Sequence, residues 1–175
     1  MNRRNGPQKS SYLNIANDIP HGGEGERVLL ECVPLDAKRI LDLGPGDGRL
    51  VKLLKRDRPN MQAVALDISP TMLKMARGYF ADDESVKLVE HDLIYPLQEL
   101  GLFDAVVSSF AIHHLTHKRK RSLDSEVFDI LNPSGIFCNL EHVASPNTAS
   151  DFCPDLFKLL RLLLLLTDRC NVVYQ

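Results

Sequence analysis

The run Ile40-Leu41-Asp42-Leu43-Gly44-Pro45-Gly46-Asp47-Gly48-Arg49-Leu50 constrains this chain more than any other stretch. A short apolar strand enters a glycine-rich turn, and the turn opens directly into a helical pattern with Leu50, Leu53 and Leu54 on one face. Glycine at 44 and 46 lets the backbone turn sharply and approach a ligand, while the helix that follows presents unpaired N–H groups. This is the layout of a nucleotide-type cofactor site.

The spacing argues against a dinucleotide. In GxGxxG the third glycine would fall at position 49, which is Arg49. The acids are more telling. Asp42 precedes the turn, Asp67 ends the next strand-like run (63–68), and Asp92 ends the third (86–93). In a doubly wound sheet these strand ends converge on one crevice, so the carboxylates line it. Such a pocket repels pyrophosphate and suits a ligand with positive charge and ribose hydroxyls. Strand patterns alternate with helical runs of about ten residues, which predicts βαβ units, a parallel sheet and helices on both faces.

Further blocks continue the pattern: Ala65-Leu66-Asp67-Ile68-Ser69-Pro70-Thr71-Met72-Leu73, Glu90-His91-Asp92-Leu93, Phe103-Asp104 through His113-His114-Leu115, and Leu131-Asn132-Pro133-Ser134-Gly135 before a fifth strand. In order and spacing they resemble the class I S-adenosylmethionine-dependent methyltransferases over roughly residues 35 to 143. The resemblance implies an α/β, Rossmann-like, doubly wound and mostly parallel sheet with five recognisable strands. The family's usual strands six and seven have too little chain left to form, so strand five is expected at or near an open edge and the chain is expected to be a shortened variant of a longer enzyme.

The resemblance also implies roles. Gly44 and Gly46 admit the methionine part of S-adenosylmethionine, Asp42 helps hold its ammonium, and Asp67 accepts from both ribose hydroxyls. Asp92 accepts from the adenine amino group with Leu93 beside the ring, and Ile68 and Ser108 complete the cofactor set. Helix or turn capping is the alternative for Asp42 and Asp92. His113, after strand four, is the candidate proton acceptor; a histidine bonded to backbone is the alternative. His91 reads as a strand-end residue near the adenine. Methyl transfer needs neither a metal nor a covalent nucleophile, because positioning and water exclusion carry it.

Composition bears on partners. A chain of 175 residues with 44% hydrophobic and 25% charged residues buries one core, and a net charge of -2 gives no general pull towards nucleic acid. The post-strand-four block lacks the Asn/Asp-Pro-Pro-aromatic motif of the family's nucleic-acid amino-methylating enzymes, which favours a small-molecule acceptor. The run Lys118-Arg119-Lys120-Arg121 opens a helix and is expected to stay in solvent, although cations there oppose the helix dipole. Cys32, Cys138, Cys153 and Cys170 show no metal-ligand spacing.

The expected organisation is a loose tail over 1–10, a helical cap over 11–34 carrying Tyr12 and His21 as candidate pocket residues, a cofactor-binding core over 35–145, and a leucine-rich segment over 146–175. The apolar run 156–166 is too short to span a membrane, which needs about 20 apolar residues. With no apolar leader pattern a cytoplasmic location is expected. The leucine run and the open sheet edge predict self-association. A nicotinamide-dependent oxidoreductase and a non-catalytic binding protein are the competing readings; the first lacks a Tyr-x-x-x-Lys pair.

Overall fold

A computed structural model describes residues 22–141 and 173–174. The expectations for Tyr12, His21 and the run 156–166 lie outside these residues. In chain order the elements are α1 (Gly22–Cys32), β1 (Arg39–Leu43), α2 (Arg49–Asp57), β2 (Gln62–Asp67), α3 (Pro70–Tyr79), β3 (Val86–Glu90), β4 (Phe103–Ser109), a short 3-10 turn (Ile112–His114), α4 (His117–Ile130), β5 (Leu131–Glu141) and β6 (Val173–Tyr174). The sheet order is β3-β2-β1-β4-β5-β6, and every printed pairing is parallel.

Alternation along the strands divides the core into two layers. Ile40, Ala63, Ala65, Ala105, Val107, Cys138 and Leu140 pack with Leu29 and Val33 of α1 and Leu50, Val51 and Leu54 of α2. On the other face Leu41, Leu43, Val64, Leu66, Val106 and Phe137 pack with Leu123 and Val127 of α4. The chain thus winds outward in one direction from β1 and in the other from β4, and a crevice opens between the ends of these two neighbouring strands.

Local chemistry sets the element ends. Ser69 caps α3, its hydroxyl accepting from Met72 N at 3.3 Å ahead of Pro70 in the first turn. Thr116 caps α4 through Arg119 N, also at 3.3 Å. Buried Arg58 donates to the carbonyls of Leu30, Val33 and Pro34, so a side chain from beyond α2 satisfies the end of α1.

One strand expectation is corrected. The fifth strand begins at Leu131, not Ile136. Leu131 pairs with Phe103, and pairing resumes at Ala105 with Ile136, so residues 132–135 form a bulge inside the strand. Asp104 holds this irregular stretch: it accepts from Asn132 Nδ2 at 2.7 Å and from the backbone N–H groups of Lys38 and Arg39 at 2.8 and 2.9 Å. Strand five also has a neighbour on its outer side. Val173 and Tyr174 pair parallel with Leu140 and Glu141, so a sixth strand covers the end of β5 nearest the crevice.

Candidate functional site

The glycine turn does two jobs with different residues. Gly44 has φ +79°, and a Cβ there would overlap that of Ala111, so its missing side chain admits the loop after β4. Gly46 has φ +58° and open space where a Cβ would stand. It is therefore Gly46 whose bare backbone faces open space. The turn is braced by Asp67: its Oδ2 accepts from Gly46 N at 2.9 Å and its Oδ1 from Ser69 N at 2.7 Å.

Asp42 and Asp67 lie on one face of the sheet, since each follows Ile40 or Ala65 by two residues in its strand. Asp42 is 1% exposed, and neither of its carboxylate oxygens has a hydrogen-bond partner among the described residues. Burial, reinforced by the charge of Asp67, pushes its pKa up to about 8. Burial raises Asp67 too, against the opposing effect of the Ser69 and Gly46 N–H groups. A buried acid such as Asp42 is held for a cation or for donors that it does not find among the described residues, whereas Asp67 already accepts from Gly46 N and Ser69 N. Ile68, the next residue, leaves an apolar side chain 54% exposed beside the pair.

At the third strand end, Asp92 Oδ1 accepts from Ile94 N at 3.0 Å, so this acid shapes a turn as well as bordering the crevice. His91 is buried, its N–H bonding Asp67 O at 3.0 Å and its Nε2 without a partner among the described residues. Leu93 packs against the α4 layer. Its carbonyl accepts from Arg119 Nε at 2.7 Å.

That contact corrects the expectation for the basic run. Lys118 and Arg121 are exposed, but the Arg119 side chain is only 12% exposed. Its guanidinium also donates to Tyr95 O at 2.7 Å and to both Glu126 oxygens at 2.5 and 2.9 Å, while Glu126 accepts from Leu97 N at 2.9 Å. Burial would raise the Glu126 pKa, but the hydrogen bonds from Arg119 and Leu97 and the Arg119 charge hold it low. Arg119 thus ties the segment 93–97 to α4, and this use outweighs its unfavourable place in the helix dipole.

On the opposite face stand Ser108, Asn139 and Glu141. Ser108 is fully buried and its hydroxyl donates to Leu43 O at 2.8 Å, so in this structure it locks β4 to β1. Asn139, its partner in register, is 7% exposed with Oδ1 unpartnered among the described residues. Glu141, 4% exposed, reaches His113: Oε1 accepts from His113 N at 3.1 Å and Oε2 lies 2.6 Å from Nδ1. The chain enters this turn through Phe110, a non-glycine residue at φ +54°. The His113 and His114 rings stand 3.9 Å apart, and the His114 pKa is lowered by burial and by His113, against the charge of Glu141.

The structure therefore gathers Asp42, Gly44, Gly46, Asp67 and Ile68 around the ends of β1 and β2, and holds His113, after β4, against Glu141 at the end of β5. Sequence reasoning did not assign roles to Glu141, Asn139 or Arg119. A polar residue at every second position at the end of the otherwise apolar run 136–141, Asn139 then Glu141, is the signal that marks the first two.

Comparisons agree with this geometry. Residues 40–135 match the methyltransferase domain family. The demethylmenaquinone methyltransferase of Thermus thermophilus is 35% identical over 139 residues, covering 78% of this chain and 60% of that protein. The ubiquinone/menaquinone biosynthesis C-methyltransferase UbiE of Wigglesworthia glossinidia brevipalpis is 29% identical over 140 residues, covering 75% of this chain and 55% of that protein. The chain thus spans little more than half the length of these relatives. The crystal structure of N-methyltransferase NodS from Bradyrhizobium japonicum, in complex with S-adenosyl-L-homocysteine, has the same fold at 18% identity with a TM-score of 0.60, covering 69% of this chain and 62% of that one. Among the described residues no helix is long and apolar enough to cross a membrane. The parallel sheet wound both ways from β1 and β4, with its glycine turn and strand-end acids, places this chain in the methyltransferase domain family, in its class I form.

Proposed function

We propose that the chain is an S-adenosylmethionine-dependent methyltransferase domain acting on a small organic acceptor. One observation carries the reading: Asp42 is a buried carboxyl group whose two oxygens have no partner among the described residues, near Asp67 and directly before the glycine turn. A ligand with a cationic amino group and ribose hydroxyls satisfies that pair, and a pyrophosphate does not. The names of the quinone-methylating relatives support a small acceptor.

Asp42 would hold the cofactor's ammonium, Gly46 would let the backbone approach its methionine part, and Asp67 would accept from the ribose. Ile68 and Leu93 would flank the adenine, with Asp92 at its edge. Bound there, the cofactor supplies a methyl carbon activated by a sulfonium. The protein's own task is to exclude water, hold the acceptor in line and receive its proton, for which His113, in the turn after β4, is the candidate.

Calorimetric titration with S-adenosylmethionine, S-adenosylhomocysteine and NAD tests this reading. Binding of the first two without NAD is expected. NAD binding in preference to both would overturn it.

A further inference from the structure

We propose that Glu141 is a positioning residue that holds the His113 ring by Nδ1 and keeps Nε2 as the proton acceptor for a hydroxyl group, which makes the methyl acceptor a hydroxyl compound and not an amine. This rests on the methyltransferase reading above and adds its acceptor class.

The geometry carries the first half. An ionised carboxylate only accepts hydrogen bonds, so with Glu141 Oε2 2.6 Å from Nδ1 the hydrogen of the neutral ring sits on Nδ1 and the lone pair on Nε2. Glu141 is 6% exposed in its side chain and His113 is 33% exposed, so the carboxylate is shielded while the ring keeps an open side. The second contact, His113 N to Glu141 Oε1 at 3.1 Å, fixes the main chain of the same residue. Backbone and ring are therefore held by one carboxyl group reaching from the end of β5. A carboxyl group that served only to fasten the turn would need only the backbone contact.

The chemistry carries the second half. A neutral amine already has the lone pair it needs, and it gains little from a base as it attacks. A hydroxyl becomes a competent nucleophile, at oxygen or at a conjugated ring carbon, as its proton leaves. In the balanced step the O–H proton passes to His113 Nε2, the acceptor's electron pair forms the bond to the methyl carbon, and the carbon–sulfur pair stays on sulfur as a thioether. Attack at ring carbon also releases that carbon's proton to solvent and returns the electrons to the ring. The imidazolium that results faces Glu141 from β5 and His114 on the same turn, and only the first favours it.

The test uses the full chain in two arms. Two-bond ¹H–¹⁵N spectra of His113, recorded with S-adenosylhomocysteine over pH 4 to 9, are expected to show the Nδ1–H ring. That tautomer preference is expected to be lost in Glu141→Gln and partly restored in Glu141→Asp. An Nε2–H ring in the native protein, or the same tautomer in all three proteins, overturns the positioning role. In the second arm, 1,4-dihydroxynaphthalene, catechol and benzylamine are offered with S-adenosylmethionine. Methylation of a hydroxyl probe is expected, with kcat reduced about a hundred-fold in His113→Gln and about ten-fold or more in Glu141→Gln. KM for S-adenosylmethionine should stay within about two-fold in Glu141→Gln, so that the loss falls on kcat. Faster methylation of benzylamine than of both hydroxyl probes overturns the acceptor class, as does failure to methylate either in a protein that binds S-adenosylhomocysteine. Absence of cofactor binding defeats the methyltransferase reading instead, and the spectra recorded without ligand still decide the role of Glu141.

Discussion

Replacing Asp42 by Asn removes the ionisable group that burial affects most in this fold, and the consequence can be worked out in sign and size. The folded-state pKa of Asp42 is near 8 against an ordinary value of 3.8. Between these pH values the unfolded chain has lost the proton and the folded chain keeps it, so the folded state binds more protons. Stability therefore falls as pH rises from about 4 to about 8 and levels off above. At 1.36 kcal/mol per pKa unit the full difference is about 6 kcal/mol, an upper bound on what one buried carboxyl costs. Asp42→Asn should flatten this slope and gain on the native protein steadily from pH 5 to pH 8. The assay is urea unfolding at several pH values, with and without S-adenosylhomocysteine. A cationic ligand group lets Asp42 ionise, so binding to the native protein near pH 6.5 should release a proton, seen as a dependence of binding heat on buffer ionisation enthalpy. The Asn variant should lose that release and bind about ten- to a hundred-fold more weakly, the scale of a hydrogen bond to a charged group. Equal pH slopes of stability in the two proteins would refute the reasoning.

Asp67→Ala should weaken S-adenosylhomocysteine binding by about 1.5 to 3 kcal/mol in calorimetry. Because Asp67 also braces Gly46 N and Ser69 N, the variant should show faster amide exchange at both; unchanged affinity in a folded variant rejects the ribose role. Arg119→Met leaves Glu126 and the carbonyls of Leu93 and Tyr95 without their donor, so a loss of about 2 to 3 kcal/mol is expected, with hydrogen exchange rising over residues 93–97. Wild-type protection there would show that α4 does not hold that segment. Gly44→Ala combines φ +79° with an overlap against Ala111 and should destabilise by about 1 to 3 kcal/mol, whereas Gly46→Ala, with open space, should spare stability more than it spares ligand affinity. Equal thermal shifts for the two variants would contradict that division.

Much of this protein was legible along the chain because the relevant information is local. The period-two and helical patterns around 40–54, 63–76 and 103–130 identify strands and helices. The Gly44-Pro45-Gly46 turn marks the cofactor end of the sheet, and the ends of β1 and β2 bring Asp42 and Asp67 there. Only the folded arrangement decided what these residues meet. Asp42 is shifted because burial removes water from both oxygens, and no local pattern states how complete that removal is. Gly44 serves a close approach by Ala111, which lies far along the chain, so its purpose differs from that of Gly46 although their local context is alike. Arg119 reads as one cation in a solvated run, yet α4 packs beside the segment after β3 and turns that one side chain inward to Leu93, Tyr95 and Glu126. The pairing of β6 with the end of β5 and the grip of Glu141 on His113 likewise join residues separated in the chain. Periodicity says which face a residue occupies; the partner it finds there depends on how the strands are ordered and how far each helix reaches across them.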